Sequence, residues 1–326
     1  MQFRKLGASG LQVSVIGLGC NPFGNEVDVA TARAIVDRAI DVGVTYFDSA
    51  DSYYEGRSEE YLGHALQGRR QQVIVATKFG NRVGSGPNDV GASRHHIIAS
   101  CEASLRRLQT DYIDVYQVHS PDRSTSTDET LEALNALLRQ GKVRYIGCSN
   151  YFEWEVVESL WAARLHGWQG FVTCQDHYNL LYRDIEKRFV PMVLKYGLGL
   201  IPYLPLAGAL LSGSYQRGVP PAAGSRGAIR PTFRFWDSER NWRVQEALVA
   251  FCAERNWSLP RVAIAWLLSH SYVPTVIAGS DRPEHVEHNV GALEIKLSSD
   301  DLEELDRLTL VDEDRTVAPV IRGRPA

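Results

Sequence analysis

The chain has 326 residues, 44% of them hydrophobic and 23% charged, a composition that supports a large globular core. Its formal net charge is −4 and no long Lys/Arg cluster occurs, which excludes the electrostatic footprint of a nucleic-acid or anionic-membrane partner. The five cysteines are widely spaced without a C-x-x-C pair, so neither a disulfide framework nor a zinc site is expected.

The amino terminus, MQFRKLGASGLQV, is too charged for a secretory signal, and no apolar run reaches the ~20 residues that span a bilayer. A cytoplasmic location is the expectation. Residues 2–14 read as a short β-hairpin, FRKL and LQVSV around a turn at 7–10. Eight strand-like runs follow: VIGLG (15–19), TYFDS (45–49), VIVATK (73–78), IDVYQVH (113–119), VRYIGCS (143–149), FVTCQ (171–175), LGLIPYL (198–204) and PTVIAG (274–279). Helical periods lie between them at 30–43, 58–68, 94–109 and 127–142. This alternation predicts an α/β fold with a parallel sheet.

Eight such strands with no linker between halves predict one (β/α)8 TIM barrel domain over 1–326 with a short N-terminal hairpin. An open doubly wound sheet is the competitor. It requires a Gly-rich fingerprint after the first strand, and Gly17-Leu-Gly19-Cys-Asn-Pro22 fails that pattern at its third glycine. A long loop is expected at 207–240 after strand seven, too extended for a bare connection, and a surface tail at 311–326.

Three successive runs end in ionisable residues: Asp48 with Tyr53 in the following loop, Lys78, and His119. The C-terminal ends of barrel strands are where such folds keep their chemistry. A phenol is a poor acid at neutral pH, so an ammonium beside it, held charged by a carboxylate, is expected to make it more acidic. An imidazole at the next strand end is placed to orient a carbonyl oxygen and stabilise its developing charge. Each residue alone has a structural alternative: a turn cap, a packed ring, a solvated strand exit, a hydrogen-bonded core histidine. Packing gives no reason for all four to gather at consecutive strand ends.

The segments GVTYFDSADSYYEGRSEEYLGHAL (43–66), ATKFG (76–80), SLRRLQTDYIDVYQVHSPD (104–122), LLRQGKVRYIGCSNY (137–151) and VIAGSDRPEHVEHN (276–289) resemble those of the aldo-keto reductases over nearly the whole length. The resemblance implies reversible hydride transfer between NADPH (NADP+) and a small-molecule aldehyde or ketone. Tyr53 would be the general acid, assisted by Asp48, Lys78 and His119. It also implies that Ser149, Asn150 and Gln175 hold the nicotinamide carboxamide and that Tyr203 stacks on its ring. Leu206, Gly208, Leu210 and Ser212 would lie along the diphosphate. Gly279, Ser280 and Arg282 would receive the adenosine 2′-phosphate, with His285 where relatives carry Arg or Gln, and Asn289 at the adenine.

Substrate choice is expected from the loops: Asn21, Pro22 and Phe23 after the first strand, Tyr54 beside the acid, Phe79, and the aromatics Phe233, Phe235 and Trp236, which either cap an apolar carbonyl compound or pack the long loop onto the barrel. His285 with His288 and His95 with His96 lack a third ligand at suitable spacing, so no metal is expected. His177, two after Gln175 along the sixth strand, reads as a hydrogen-bonded core histidine, with support of the site residues as the alternative. A second function class stays open, since some relatives of this fold serve as NADPH-sensing regulatory subunits with slow turnover and would carry the same four residues.

Overall fold

The computed structural model describes residues 1–229 and 231–310. The tail at 311–326 lies outside the described residues. Each β-branched run becomes a strand: β1 (Phe3–Lys5), β2 (Gln12–Ser14), β3 (Ile16–Gly19), β4 (Tyr46–Asp48), β5 (Ile74–Phe79), β6 (Ile113–Val118), β7 (Val143–Ser149), β8 (Thr173–His177), β9 (Gly199–Tyr203) and β10 (Val276–Gly279). The hairpin pairs β1 with β2 antiparallel, and the other eight strands form one parallel sheet in the order β10-β3-β4-β5-β6-β7-β8-β9. With β9 and β10 in contact across the seam, the sheet is a (β/α)8 barrel.

Helices α1 (Val29–Asp41), α2 (Arg57–Ala65), α3 (Arg94–Leu108), α4 (Thr127–Arg139), α5 (Glu153–His166) and α6 (Phe189–Tyr196) follow the first strands. The chain continues through α7 (Arg226–Ile229), α8 (Glu239–Glu254), α9 (Leu259–Ser269), α10 (Pro283–Val290) and α11 (Ser299–Thr309). Their starts are set by local chemistry. Asp28, Ser93, Ser126, Ser238 and Ser298 each accept a hydrogen bond from the backbone N–H three residues on, satisfying a donor the helix leaves open. The expected loop at 207–240 is not bare: it contains a 3-10 turn at Ala207–Ser212, α7, and a second turn at Pro231–Phe235.

Two apolar layers result. The larger fills the space between strands and helices, with Phe47, Leu62, Leu134, Leu200 and Ile264 fully buried; each such side chain contributes ~1.5–3 kcal/mol on leaving water. The smaller sits inside the barrel, where Leu6 and Val13 of the hairpin meet Tyr46, Ala76, Val115, Ile201 and Ile277. The hairpin therefore plugs the N-terminal end. Arg4 fixes it there, donating to the carbonyls of Leu268, His270 and Val273. The C-terminal end is left to the loops.

Candidate active site

The parallel register places Gly19 beside Asp48, Ser149 beside Gln175, and His177 beside Tyr203, so residues far apart in the chain share one rim. Above that rim lies a cavity of about 310 Å³ lined by Asn21, Pro22, Asp48, Tyr53, His119, Ser149, Asn150, Gln175, Tyr203, Leu206, Gly208 and Gly279, among others. A larger cavity of about 800 Å³ opens at the opposite end, beside Trp161, Arg164 and Tyr196. Its lining holds no carboxylate, imidazole or thiol among the described residues, whereas the smaller cavity brings Asp48, Tyr53 and His119 together at the strand ends.

Asp48, Tyr53, Lys78 and His119 converge. Lys78 is fully buried, ion-paired with Asp48, and donates to the Ser49 carbonyl at 2.8 Å and to the Tyr53 hydroxyl at 3.4 Å. The second oxygen of Asp48 accepts from Gln175 at 2.9 Å and from Gln117 at 3.3 Å. Every charge in this layer is thus paired or hydrogen-bonded, which burial demands. The His119 ring stands edge-on to Tyr53 with centroids 5.6 Å apart.

Burial alone would lower Lys78, but Asp48 and Tyr53 outweigh it and hold the ammonium above its usual range. Burial, and the positive charge of Lys78, push His119 down to about 3, so its imidazole is neutral at physiological pH. Tyr53 departs from the expectation of an acidic phenol. Burial raises its hydroxyl above the ordinary range; Lys78 pulls the other way, and Asp48 acts against Lys78. The phenol is accordingly held protonated, as a proton donor rather than a phenolate.

The residues expected at the nicotinamide brace one another and the catalytic layer. Asn150 donates to the His119 carbonyl at 2.9 Å and to Ser149 Oγ at 3.0 Å, and its own amide oxygen accepts from the Tyr203 hydroxyl at 2.8 Å. Along the expected diphosphate segment the backbone is left-handed at Leu204, Ala207, Gly208 and Ala209. At Gly208 a side chain is also barred by space, since a Cβ would lie 2.6 Å from Trp236 Nε1. Leu206 and Gly208 line the cavity, whereas Leu210 is fully buried in the core and Ser212 lies beyond the lining, its Oγ accepting from the Ser214 amide.

Ser280, Arg282, His285 and Asn289 extend from the end of β10 along α10, beside Gly279. Among the described residues Ser280 Oγ is buried without a partner and no side chain caps the start of α10. Arg282 and His285 are exposed and share Asp281, at 3.4 and 2.8 Å respectively. Sequence reasoning missed Asp281, although an acid between Ser280 and Arg282 was visible in the motif.

The expected substrate contacts fare differently. Phe23 and Phe79 have no exposed surface; Phe23 packs in the core and Phe79 packs on Tyr116 with centroids 4.7 Å apart. They support the strand ends and do not face the cavity. Tyr54, Phe233 and Trp236 also lie outside its lining: Phe233 packs on Tyr215, and Trp236 sits edge-on to His177. The apolar wall comes instead from Pro22, Leu204, Pro205, Leu206 and Ile277.

A second buried polar group escaped the sequence. Asp51, two residues before Tyr53, has both carboxylate oxygens buried without a hydrogen bond of normal geometry among the described residues. Burial, and the neighbouring Glu59, raise it to about 8, against the opposing pull of Arg107 and Lys78. Among the described residues no group of three His, Cys, Asp or Glu side chains could hold a metal, and no helix is long and apolar enough to cross a membrane.

Residues 15–309 match the Aldo/keto reductase family model. A protein named probable voltage-gated potassium channel subunit beta, from Oryza sativa subsp. japonica, is 37% identical over 90% of this chain and 92% of its own. An uncharacterized oxidoreductase, YrpG of Bacillus subtilis, is 37% identical over 94% of this chain and 95% of its own. The L-glyceraldehyde 3-phosphate reductase of Escherichia coli O157:H7 is 32% identical over 94% of this chain and 92% of its own.

Proposed function

Because this chain belongs to the aldo/keto reductase family, and is an oxidoreductase acting on carbonyl groups, we propose that it is an NADPH-dependent reductase of aldehydes or ketones with Tyr53 as general acid. The observation that carries this reading is the buried Asp48–Lys78 pair whose ammonium reaches the Tyr53 hydroxyl at 3.4 Å on the floor of the cavity.

The residues present fit a phosphorylated dinucleotide. Ser280 Oγ, buried and unpartnered among the described residues, stands at the uncapped start of α10, where backbone N–H groups attract phosphate. Arg282 adds a guanidinium able to fork onto phosphate oxygens. Ser149, Asn150 and Gln175 would hold the carboxamide, Tyr203 would face the ring, Leu206 and Gly208 would follow the diphosphate, and Asn289 would meet the adenine. When bound, the dinucleotide supplies the hydride that reduces the carbonyl carbon.

The chain's own residues manage the proton. Tyr53 gives its hydroxyl proton to the carbonyl oxygen as negative charge grows there. Lys78, already donating toward that hydroxyl, stabilises the phenolate left behind, and Asp48 keeps the ammonium charged and in place. His119, neutral throughout the physiological range, donates a ring N–H to the same carbonyl oxygen and fixes its position beside Tyr53. One such preorganised donor is worth ~2.7–4 kcal/mol in a transition state.

A second reading is favoured by one finding, the relative named as a potassium channel subunit beta. On it the chain would be a dinucleotide-binding regulatory subunit with slow turnover. Stopped-flow oxidation of bound NADPH by a panel of aldehydes and ketones separates the two. Turnover of about 1 s⁻¹ or faster supports the reductase, and only far slower single turnovers support the regulatory subunit.

A further inference from the structure

The geometry points to His177 as a positioning residue for dinucleotide binding, one that acts by backing the ring of Tyr203. The inference rests on the reading that the cavity takes a nicotinamide dinucleotide. Tyr203 lines the cavity and His177 does not, although the two are register partners on β9 and β8. Tyr203 therefore meets both the cavity and His177, whose ring lies nearly parallel to it at 12° with centroids 5.4 Å apart. The Tyr182 ring also stacks on His177, at 4.3 Å and 7°. His177 thus links three near-parallel rings into one stacked column that reaches the cavity at Tyr203.

The column is clamped at its middle. Asn179 closes the turn after β8, its amide oxygen accepting from the backbone N–H of Leu181 and of Tyr182. That fixes which way the amide points, so its nitrogen faces His177 Nε2 at 3.1 Å and the Leu204 carbonyl at 2.9 Å. His177 Nε2 therefore accepts. The same side chain restrains Leu204, the left-handed residue that follows Tyr203 and opens the segment along the cavity rim.

From the side, Trp236 meets the His177 ring edge-on at 5.2 Å and closes over Gly208. The long segment after β9 is thereby pinned to the column. A flat platform that cannot tilt loses little freedom when a second ring settles on it, and preorganisation of this kind appears as affinity. What matters on this account is the shape of the His177 ring, not its acid–base chemistry.

The test compares wild type with His177→Ala and His177→Phe by calorimetric titration of NADP+ and of 2′,5′-ADP, which lacks the nicotinamide. In His177→Ala the Kd for NADP+ should rise roughly tenfold, about 1.4 kcal/mol, with the Kd for 2′,5′-ADP unchanged. His177→Phe, which keeps a flat ring and loses the acceptor, should restore most of the loss. Unchanged NADP+ affinity in His177→Ala overturns the inference. So does an equal weakening of both ligands, which would mark a general loosening of the fold. A wild-type protein that binds neither ligand overturns the dinucleotide reading itself, and this inference with it.

Discussion

The two ends of the site are built on opposite principles. At the proposed catalytic end Lys78 and Asp48 are 0% and 2% exposed, and each is tied to several neighbours before any ligand arrives. At the end proposed for the adenosine Arg282 and His285 are 61% and 49% exposed and lean on a single carboxylate, Asp281. Proton transfer requires a donor fixed to within a fraction of an ångström, and only a buried, fully satisfied layer supplies that. Holding a phosphate requires charge within reach, and solvated side chains suffice. The difference predicts that damage at the first end appears in rate and stability, and at the second in affinity alone.

The largest effect is expected at Lys78. Lys78→Met should lower kcat for aldehyde reduction by ~10²–10⁴-fold, the usual worth of assisted proton transfer, with the Kd for NADPH nearly unchanged. A parallel loss of binding would erase the distinction between the two ends. Asp48→Asn strands a fully buried ammonium without its counterion, and denaturant unfolding should register a loss of ~3–5 kcal/mol.

Smaller effects separate the adenosine end. Arg282→Ala should raise the Kd for NADPH about fivefold to tenfold and leave NADH untouched, since only NADPH carries the 2′-phosphate. Asp281→Asn should act the other way, tightening NADPH by about twofold to fivefold, because it frees Arg282 and His285 and removes a repelling carboxylate; exposed pairs are worth no more than that. Fluorescence titration of both dinucleotides decides both variants.

A separate effect, confined to low pH, concerns acid. His119 is held down to about 3 in the folded state against 6.5 for the ordinary imidazole, so between those values the unfolded chain binds the extra proton. Its contribution to stability is complete above pH 6.5 and lost as pH falls toward 3. His119→Gln should flatten the acid limb of the stability curve over that window. It should leave the curve above pH 7 parallel to that of wild type.

Much of this arrangement was legible in the sequence, for a physical reason. A parallel strand buried on both faces reads as an unbroken apolar run, so an Asp, Lys or His where the run stops marks the rim of the barrel. Asp48, Lys78 and His119 could be placed on a shared rim in that way. What the runs do not encode is distance between rings or the balance of burial against charge. Phe23 and Phe79 look the same as cavity-facing aromatics until their packing is known. The hydroxyl of Tyr53 lies above its ordinary range, against the acidity expected of it, because burial raises it more than Lys78 lowers it and Asp48 works against Lys78, a balance the runs do not encode. The His177 column needed three segments brought together by the strand register, and Asp51 needed the burial of its carboxylate without a hydrogen bond of normal geometry among the described residues to be seen.

The most direct test follows a single atom. NADPH carrying deuterium on the transferring face of nicotinamide C4 is mixed with an aldehyde and either wild type or Tyr53→Phe, and label at the product carbon is measured alongside dinucleotide Kd. The account predicts label in the alcohol with wild type. In Tyr53→Phe, Kd should be unchanged and the rate of label transfer should fall by at least ~10²-fold. Transfer by Tyr53→Phe at close to the wild-type rate would contradict it.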